Sequence, residues 1–292
     1  MDLKYKTLPI SEAGTAVQGC GTIHISEIQL TLTKLSDELE FPFNLNDYTL
    51  GSTGKKEYSG DVDVVLDTKW WGHGPKALKE NLDTLFGKDN VKMYGAMVHL
   101  KYPIVGYDPV KDKRKPRTGY VQIDFNFGDS EWERFYHYSP GDTSAYKGAH
   151  RNLALAAITF AVNKEEADEK DSYNRPVWEV RYKWSPKGFA KVRRVSMKDE
   201  RSGVWMKKRD DTIVEGPFFD PAIIARLIFP KDGTEQDLSS LETIMAAVYR
   251  NYDKTQQEAI WERMASNFSD WRDGKDFEYP PEIEQYFPRN DK

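Results

Sequence analysis

Leu50-Gly51-Ser52-Thr53-Gly54, a polar stretch over 55–60, and then Asp61-Val62-Asp63-Val64-Val65-Leu66 form the part of the chain on which the fold turns. The last segment alternates acid and apolar before closing on Val65 and Leu66, the pattern of a strand with one face buried. Side chains alternate across a strand, so Asp61 and Asp63 share a face about 7 Å apart along the backbone, while Val62, Val64 and Leu66 point to the other. Tyr120 to Phe127 alternates as strictly, with Gln122, Asp124 and Asn126 on one face and Val121, Ile123, Phe125 and Phe127 on the other. Three carboxylates could therefore converge on the polar face of one sheet. Clustered carboxylates repel one another and take up protons unless something positive sits among them, and divalent magnesium binds oxygen ligands of this kind. Alone, each strand also reads as an amphipathic edge strand whose acids face water. The Gly51-Ser52 turn just upstream sets the pair apart, because a small residue there lets backbone N–H groups and a hydroxyl approach phosphate oxygens closely.

Working outward, Ile25, Ile28, Leu32, Leu35 and Leu39 follow helical spacing and predict a helix from about Ile23 to Glu40, ending near Pro42. A short strand, Tyr48 to Leu50, leads into the Gly-Ser turn. After the Asp-x-Asp strand comes a helix, Pro75 to Phe86, with Leu78, Leu82 and Leu85 on one face, and then a strand from Lys92 to Tyr102. Pro103 to Arg117 is a charged loop carrying Lys111, Lys113, Arg114, Lys115 and Arg117, read as mobile and solvated. A second half begins near Ser139, where Pro140-Gly141-Asp142 marks a turn before a helix from about Ala145 to Val162. Trp178 to Trp184 and Phe189 to Val195 predict a hairpin around Ser185-Pro186-Lys187-Gly188. Beyond it, Asp220-Pro221 fits a capped helix start, and Ser239-x-x-Glu242 and Thr255-x-x-Glu258 fit capping boxes. The fold class expected is α+β: a mixed sheet flanked by helices over 1–138, then a helix-rich part with a basic β-hairpin over 139–292.

The acids and the Gly-Ser turn together resemble the DNA polymerase β-like nucleotidyltransferases. Their signature is an apolar residue, Gly, Gly or Ser, a spacer, and two acids alternating with apolar residues: here Leu50-Gly51-Ser52, Thr53 to Gly60, and Asp61-Val62-Asp63-Val64. The family's third acid lies on a later strand between apolar residues, similar to Val121-Gln122-Ile123-Asp124-Phe125. The resemblance covers roughly residues 23 to 128 and implies a palm-type sheet. It implies that Asp61 and Asp63 bind two magnesium or manganese ions and that Asp124 completes one site and helps activate an acceptor hydroxyl. It also implies that Gly51 and Ser52 hold a nucleoside triphosphate such as ATP. The eight-residue spacer is short for the family and implies a very short helix after Ser52. Lys55 and Lys56 within it could add charge at the phosphates or simply form a solvated turn.

From Asp129 to Asn152 the chain is dense in groups that could stack on a base or bind phosphate: Trp132, Phe135, Tyr136, Tyr138, Tyr146, Lys147, His150 and Arg151. The block is similar to one in nucleotidyltransferases of bacteriophage genomes. Core packing is the simpler reading of the aromatics. Lys147 and Arg151, four apart on one helix face, fit either a phosphate site or a solvated pair. Arg181 to Arg209 holds eleven basic residues against Asp199 and Glu200. With Trp184, Phe189 and Trp205 interleaved, it could form a platform for an RNA strand such as a tRNA 3′ end, or a solvated hairpin. The expected chemistry is in-line attack of an acceptor hydroxyl on the α-phosphorus with release of pyrophosphate. Transfer to a protein or small molecule, and an inactive protein that keeps the fold, stand as alternatives.

Composition bounds these readings. The chain has 292 residues, 30% of them charged, and a net charge of −5, which suits a globular protein rather than a disordered one. The apolar run Leu153 to Asn163 is shorter than the roughly 20 residues of a membrane span. No export leader is expected, because no basic segment followed by an apolar one opens the chain. The one cysteine, Cys20 between two glycines, excludes an internal disulfide and fits a reducing cytoplasm. A catalytic Cys20 would need a basic partner that the sequence does not identify. His73, in Trp71-Gly72-His73-Gly74, is assigned no role.

Overall fold

The computed structural model describes residues 16–107, 118–140, 144–146, 148–162, 164–199, 201–271 and 278–287, and its contacts gather into two compact units, 1–148 and 149–292. The charged residues 111–117, Gly141 and Asp142 of the expected turn, and Lys147 lie outside the described residues.

In the first unit the short strand β1 (Ile23–His24) pairs with β2 (Tyr58–Ser59). Helix α1 (Ile25–Glu38) starts where His24 can cap it: the ring Nδ1 accepts from the Ser26 N–H, and Glu27 accepts from the His24 N–H at 2.9 Å. These bonds satisfy donors that a helix start leaves open. Next in the chain are β3 (Asp61–Asp67), α2 (Gly74–Phe86), β4 (Val91–Tyr94), β5 (Met97–Pro103), β6 (Tyr120–Gly128) and α3 (Ser130–Tyr136). The four long strands form one mixed sheet in the order β3-β6-β5-β4, with β3 parallel to β6 and the other pairs antiparallel. The alternation read from the sequence sorts its faces. Val62, Val64, Leu66, Val98, Leu100, Val121, Ile123 and Phe125 are fully buried in one cluster with Ile28, Leu32 and Leu35 of α1 and Leu78 and Leu82 of α2. Each such side chain stabilises the fold by about 1.5–3 kcal/mol through lost apolar exposure. The opposite face carries the acids.

In the second unit, α4 (Gly148–Ala161) leads to β7 (Glu165–Glu166), β8 (Trp178–Ser185), β9 (Gly188–Lys198) and β10 (Trp205–Phe218). These make an antiparallel sheet in the order β10-β9-β8-β7. Helices α5 (Pro221–Ile228), α6 (Leu241–Asn251), α7 (Lys254–Trp271) and α8 (Pro281–Glu284) follow. The molecule is thus α+β, and no helix among the described residues is long and apolar enough to cross a membrane.

Several expectations need correction. Tyr48 to Leu50 is not a strand: Leu45–Tyr48 is a 3-10 turn, and only Thr49 bridges to Val64. The stretch Lys92 to Tyr102 is two strands, because Gly95 at φ 61° turns the chain between β4 and β5. No helix follows Ser52; residues 51–55 form turns. Helix α4 begins at Gly148, where a Cβ would lie 2.6 Å from the Tyr138 carbonyl oxygen, so the close approach of two backbones requires glycine. Asp220 caps α5 as expected, accepting from Ala222 and Ile223. The other capping pairs are each shifted: Ser240 with Thr243 starts α6, and Asp253 with Gln256 exchanges bonds at the start of α7. The predicted hairpin is real but forms the middle of a larger sheet. Its neighbour β10 was missed because Lys207-Lys208-Arg209-Asp210-Asp211-Thr212 has no apolar alternation and is mostly exposed.

Candidate metal centre

The parallel register of β3 on β6 sets Asp61 opposite Gln122 and Asp63 opposite Asp124. One carboxylate oxygen from each of Asp61, Asp63 and Asp124 lies within 4.8 Å of the others, so the three acids expected from the sequence do converge. That spacing is compatible with a shared divalent ion, and the donor set of three hard carboxylates suits one that prefers oxygen ligands. Burial, reinforced by the charges of Asp61 and then Asp124, pushes the Asp63 carboxyl well above its ordinary pKa; His137 pulls the other way. A cation among these oxygens would relieve that repulsion.

The Gly-Ser turn is fastened to the same strand. Leu50 N–H donates to the Asp63 carbonyl at 2.8 Å, and the Asp63 N–H donates to Thr53 Oγ1 at 3.0 Å. Gly51, at φ 63°, lies so close that an added Cβ would sit 3.4 Å from Asp63 Oδ2. The left-handed backbone conformation favours glycine here, while the space would admit a Cβ at contact distance. Ser52 is exposed on the turn, and Lys56 is exposed beyond it. Lys55 Nζ donates to the Ser139 carbonyl at 2.8 Å and lies 4.8 Å from the Tyr138 ring. A cavity of about 190 Å³ opens on this turn, lined by Thr49, Leu50, Gly51, Thr53, Lys55, Arg134 and Tyr138. Two of those side chains are cations and none is an acid, so an anionic ligand suits it. Arg134, from α3, also donates to the Asp47 carbonyl and faces the Tyr48 ring at 5.7 Å.

Four residues of this site escaped the sequence reading. Thr53 and Arg134 line the cavity. His137 follows α3, pairs with the buried Glu133 at 3.1 Å and faces Asp63 electrostatically. His99, on β5, lies 2.8 Å from Asp124. Only its position between Val98 and Leu100 on an apolar strand was legible; its partner depends on sheet register. Burial pushes the Cys20 thiol up to about 11, with Lys101 lowering it and Asp124 raising it.

In the second unit Arg151 is fully buried, so the solvated-pair reading fails for it. Its guanidinium donates to the Leu238 carbonyl and to Asn152 Oδ1 and lies 5.5 Å from the Trp184 ring. His150 and Trp132 are core residues, the first beside Phe268 and Tyr279. The aromatic platform expected on the hairpin is also corrected: Trp184 and Phe189 are buried, with Phe189 stacked on Tyr182 at 4.9 Å. Three arginines of the basic region converge on one acid. Arg181, Arg194 and Arg209 all reach Glu179 Oε1, at 3.4, 3.7 and 3.5 Å, and Arg194 grips Asp211 through two bonds. Lys187, Arg193, Lys198, Arg201, Lys207 and Lys208 remain exposed.

No family model matches the chain, and no curated protein sequence matches it. Among solved structures it is similar to a ternary P/T complex of Leishmania infantum polymerase beta. The identity is 12%, the likeness covers 75% of this chain and 77% of that one, and the TM-score is 0.38. The reading of the site therefore rests on its own geometry.

Proposed function

We propose that the chain is a metal-dependent nucleotidyltransferase, with residues 1–138 as the catalytic part. The convergence of Asp61, Asp63 and Asp124 within 4.8 Å, on two strands paired in parallel, carries this reading. Two divalent ions held there would neutralise charge on the attacking and leaving oxygens of a phosphoryl displacement. The residues of the chain do the rest. Gly51 and Ser52 present backbone and hydroxyl donors to the triphosphate, and Lys55 with Arg134 draws the anion into the cavity that opens on the turn. Asp124 faces the acceptor hydroxyl and receives its proton as that oxygen attacks the α-phosphorus in line and pyrophosphate departs. No covalent enzyme intermediate is needed. Lys56, Lys147 and Arg151 are further phosphate contacts in this proposal, Arg151 the weakest of them because it is buried against Leu238.

RNA is the acceptor we favour, held by the exposed lysines and arginines of 181–209, since the converging arginines are already engaged by Glu179 and Asp211. The test is incubation with each α-labelled nucleoside triphosphate, magnesium or manganese, and total RNA, with protein and RNA resolved separately and Asp61→Ala/Asp63→Ala as control. Label in RNA that disappears in the variant supports the proposal in full. Label in protein keeps the chemistry and changes the acceptor. Equal labelling by the variant overturns the site.

A further inference from the structure

Asp124 is the acid whose carboxylate is held from two sides by neighbouring side chains. On one side of β6, the parallel strand sets Asp63 opposite it; on the other, the antiparallel register of β5 sets His99 opposite it. His99 Nδ1 is 2.8 Å from Asp124 Oδ1, and Gln122 Nε2 donates to Oδ1 at 2.8 Å and to Oδ2 at 3.1 Å. The amide of Gln122 is itself oriented, because its Oε1 accepts from the Val17 N–H at 3.1 Å. All three side chains are buried, with His99 3% and Gln122 1% exposed. A carboxylate that binds metal only accepts, so in the metal-binding form His99 Nδ1 is the donor of this contact.

On the reading given under Proposed function, we infer that His99, together with Gln122, is a positioning residue that fixes the carboxylate plane of Asp124 for metal binding. A carboxylate on a free Cβ–Cγ bond swings through a wide range of orientations. Two donors, one on Oδ1 and one bridging both oxygens, remove that freedom while one Asp124 oxygen stays within 4.8 Å of oxygens of Asp61 and Asp63. Donors of this kind behind a metal-binding carboxylate are worth about 10–100-fold in metal affinity or activity. A purely structural role is a poor account of the trio. Burying a histidine, a glutamine and a carboxylate together carries a desolvation cost that an apolar trio of the same volume would avoid. The polar arrangement occurs where β6 brings Asp124 beside Asp63.

The test is a manganese titration of the full chain, read by the electron-spin signal of free ion, with and without nucleoside triphosphate. His99→Ala should weaken manganese binding by about 10–100-fold. His99→Asn should recover most of that loss, because its amide nitrogen falls near the place of Nδ1. The turnover number should fall in His99→Ala while the KM for nucleotide holds, a split that a general loss of structure would not give. Manganese binding in His99→Ala equal to that of the wild type overturns the inference and leaves the function standing. Absence of manganese binding in the wild type overturns the function instead. Should His99→Ala not fold, Gln122→Leu removes the second donor, and a nitrogen-correlated imidazole spectrum of the wild type decides the matter. Nδ1 should be protonated and its signals should move on adding magnesium; an unprotonated Nδ1 or unmoved signals would overturn the inference.

Discussion

The two units each gather acids and treat them in opposite ways. In the second unit, Glu179 has three guanidinium groups within 3.7 Å, and Asp211, gripped by Arg194, has its carboxyl held down at about 2. Asp171 is held lower still, its carboxylate accepting from Arg175 and Ser196. In the first unit, burial and then the charges of Asp61 and Asp124 push the Asp63 carboxyl up. Asp171, Glu179 and Asp211 of the second unit are each paired with arginine. With all three acids of the first unit ionised their charges repel, and a divalent ion among them would offset that repulsion.

The contrast can be broken most severely at the acids themselves. Asp61→Ala or Asp63→Ala should reduce nucleotide transfer to background without unfolding the protein, as checked by labelling and circular dichroism. Removing an acid from the arginine-paired network should do the reverse. Glu179→Gln should leave the guanidinium groups of Arg181, Arg194 and Arg209 without their shared counter-charge and cost about 3 kcal/mol of stability. Denaturant unfolding measures that loss, and it should be the same with and without magnesium.

A finer test uses the sign of the pKa shift directly. Asp63→Asn should raise the melting temperature of the metal-free protein by a few degrees, since it removes a repelled charge, and should abolish the further rise that magnesium gives the wild type. The pH response follows. Asp63, with its pKa raised on folding, costs stability as pH climbs from the ordinary carboxylate range through its folded value. Magnesium binding should therefore weaken as pH falls through that same window. Asp211, with its pKa lowered on folding, contributes stability that is fully present above the ordinary carboxylate value of 3.8 and is lost as pH falls through about 2. Acid unfolding should therefore draw on the loss from Asp211 only below 3.8, after the gain from Asp63 is complete. The smallest effect belongs to the exposed bases. Lys207→Ala and Lys208→Ala should each reduce the salt dependence of RNA binding by about one phosphate contact.

The parts of this picture legible in the sequence are those set by local periodicity. The alternation of Asp61 to Leu66 and of Tyr120 to Phe127 separated acid face from core, and both strands and both faces are as expected. Helices α1 and α2 were located within two residues at each end, although Ile25 and Leu85, assigned to their apolar faces, are half exposed. What was not legible depends on register and on contacts between distant segments. His99 could be assigned a strand but not a partner, because nothing local tells that β5 will pair with β6. Arg134 and His137 were in a block read for its aromatics, and their place near the Gly-Ser turn follows from how α3 packs on β3 and β6. Strand β10 lacked the apolar alternation that marks a buried face. The basic region was read by its charge sum, which does not reveal that Arg181, Arg194 and Arg209 point at one glutamate.

The most direct test of the central claim is a manganese titration of the wild type and of Asp61→Asn/Asp63→Asn in the presence of a nucleoside triphosphate, counting ions bound per chain. The account predicts two ions per wild-type chain beyond those the nucleotide binds alone, and none in the variant. The same stoichiometry in both proteins would contradict it.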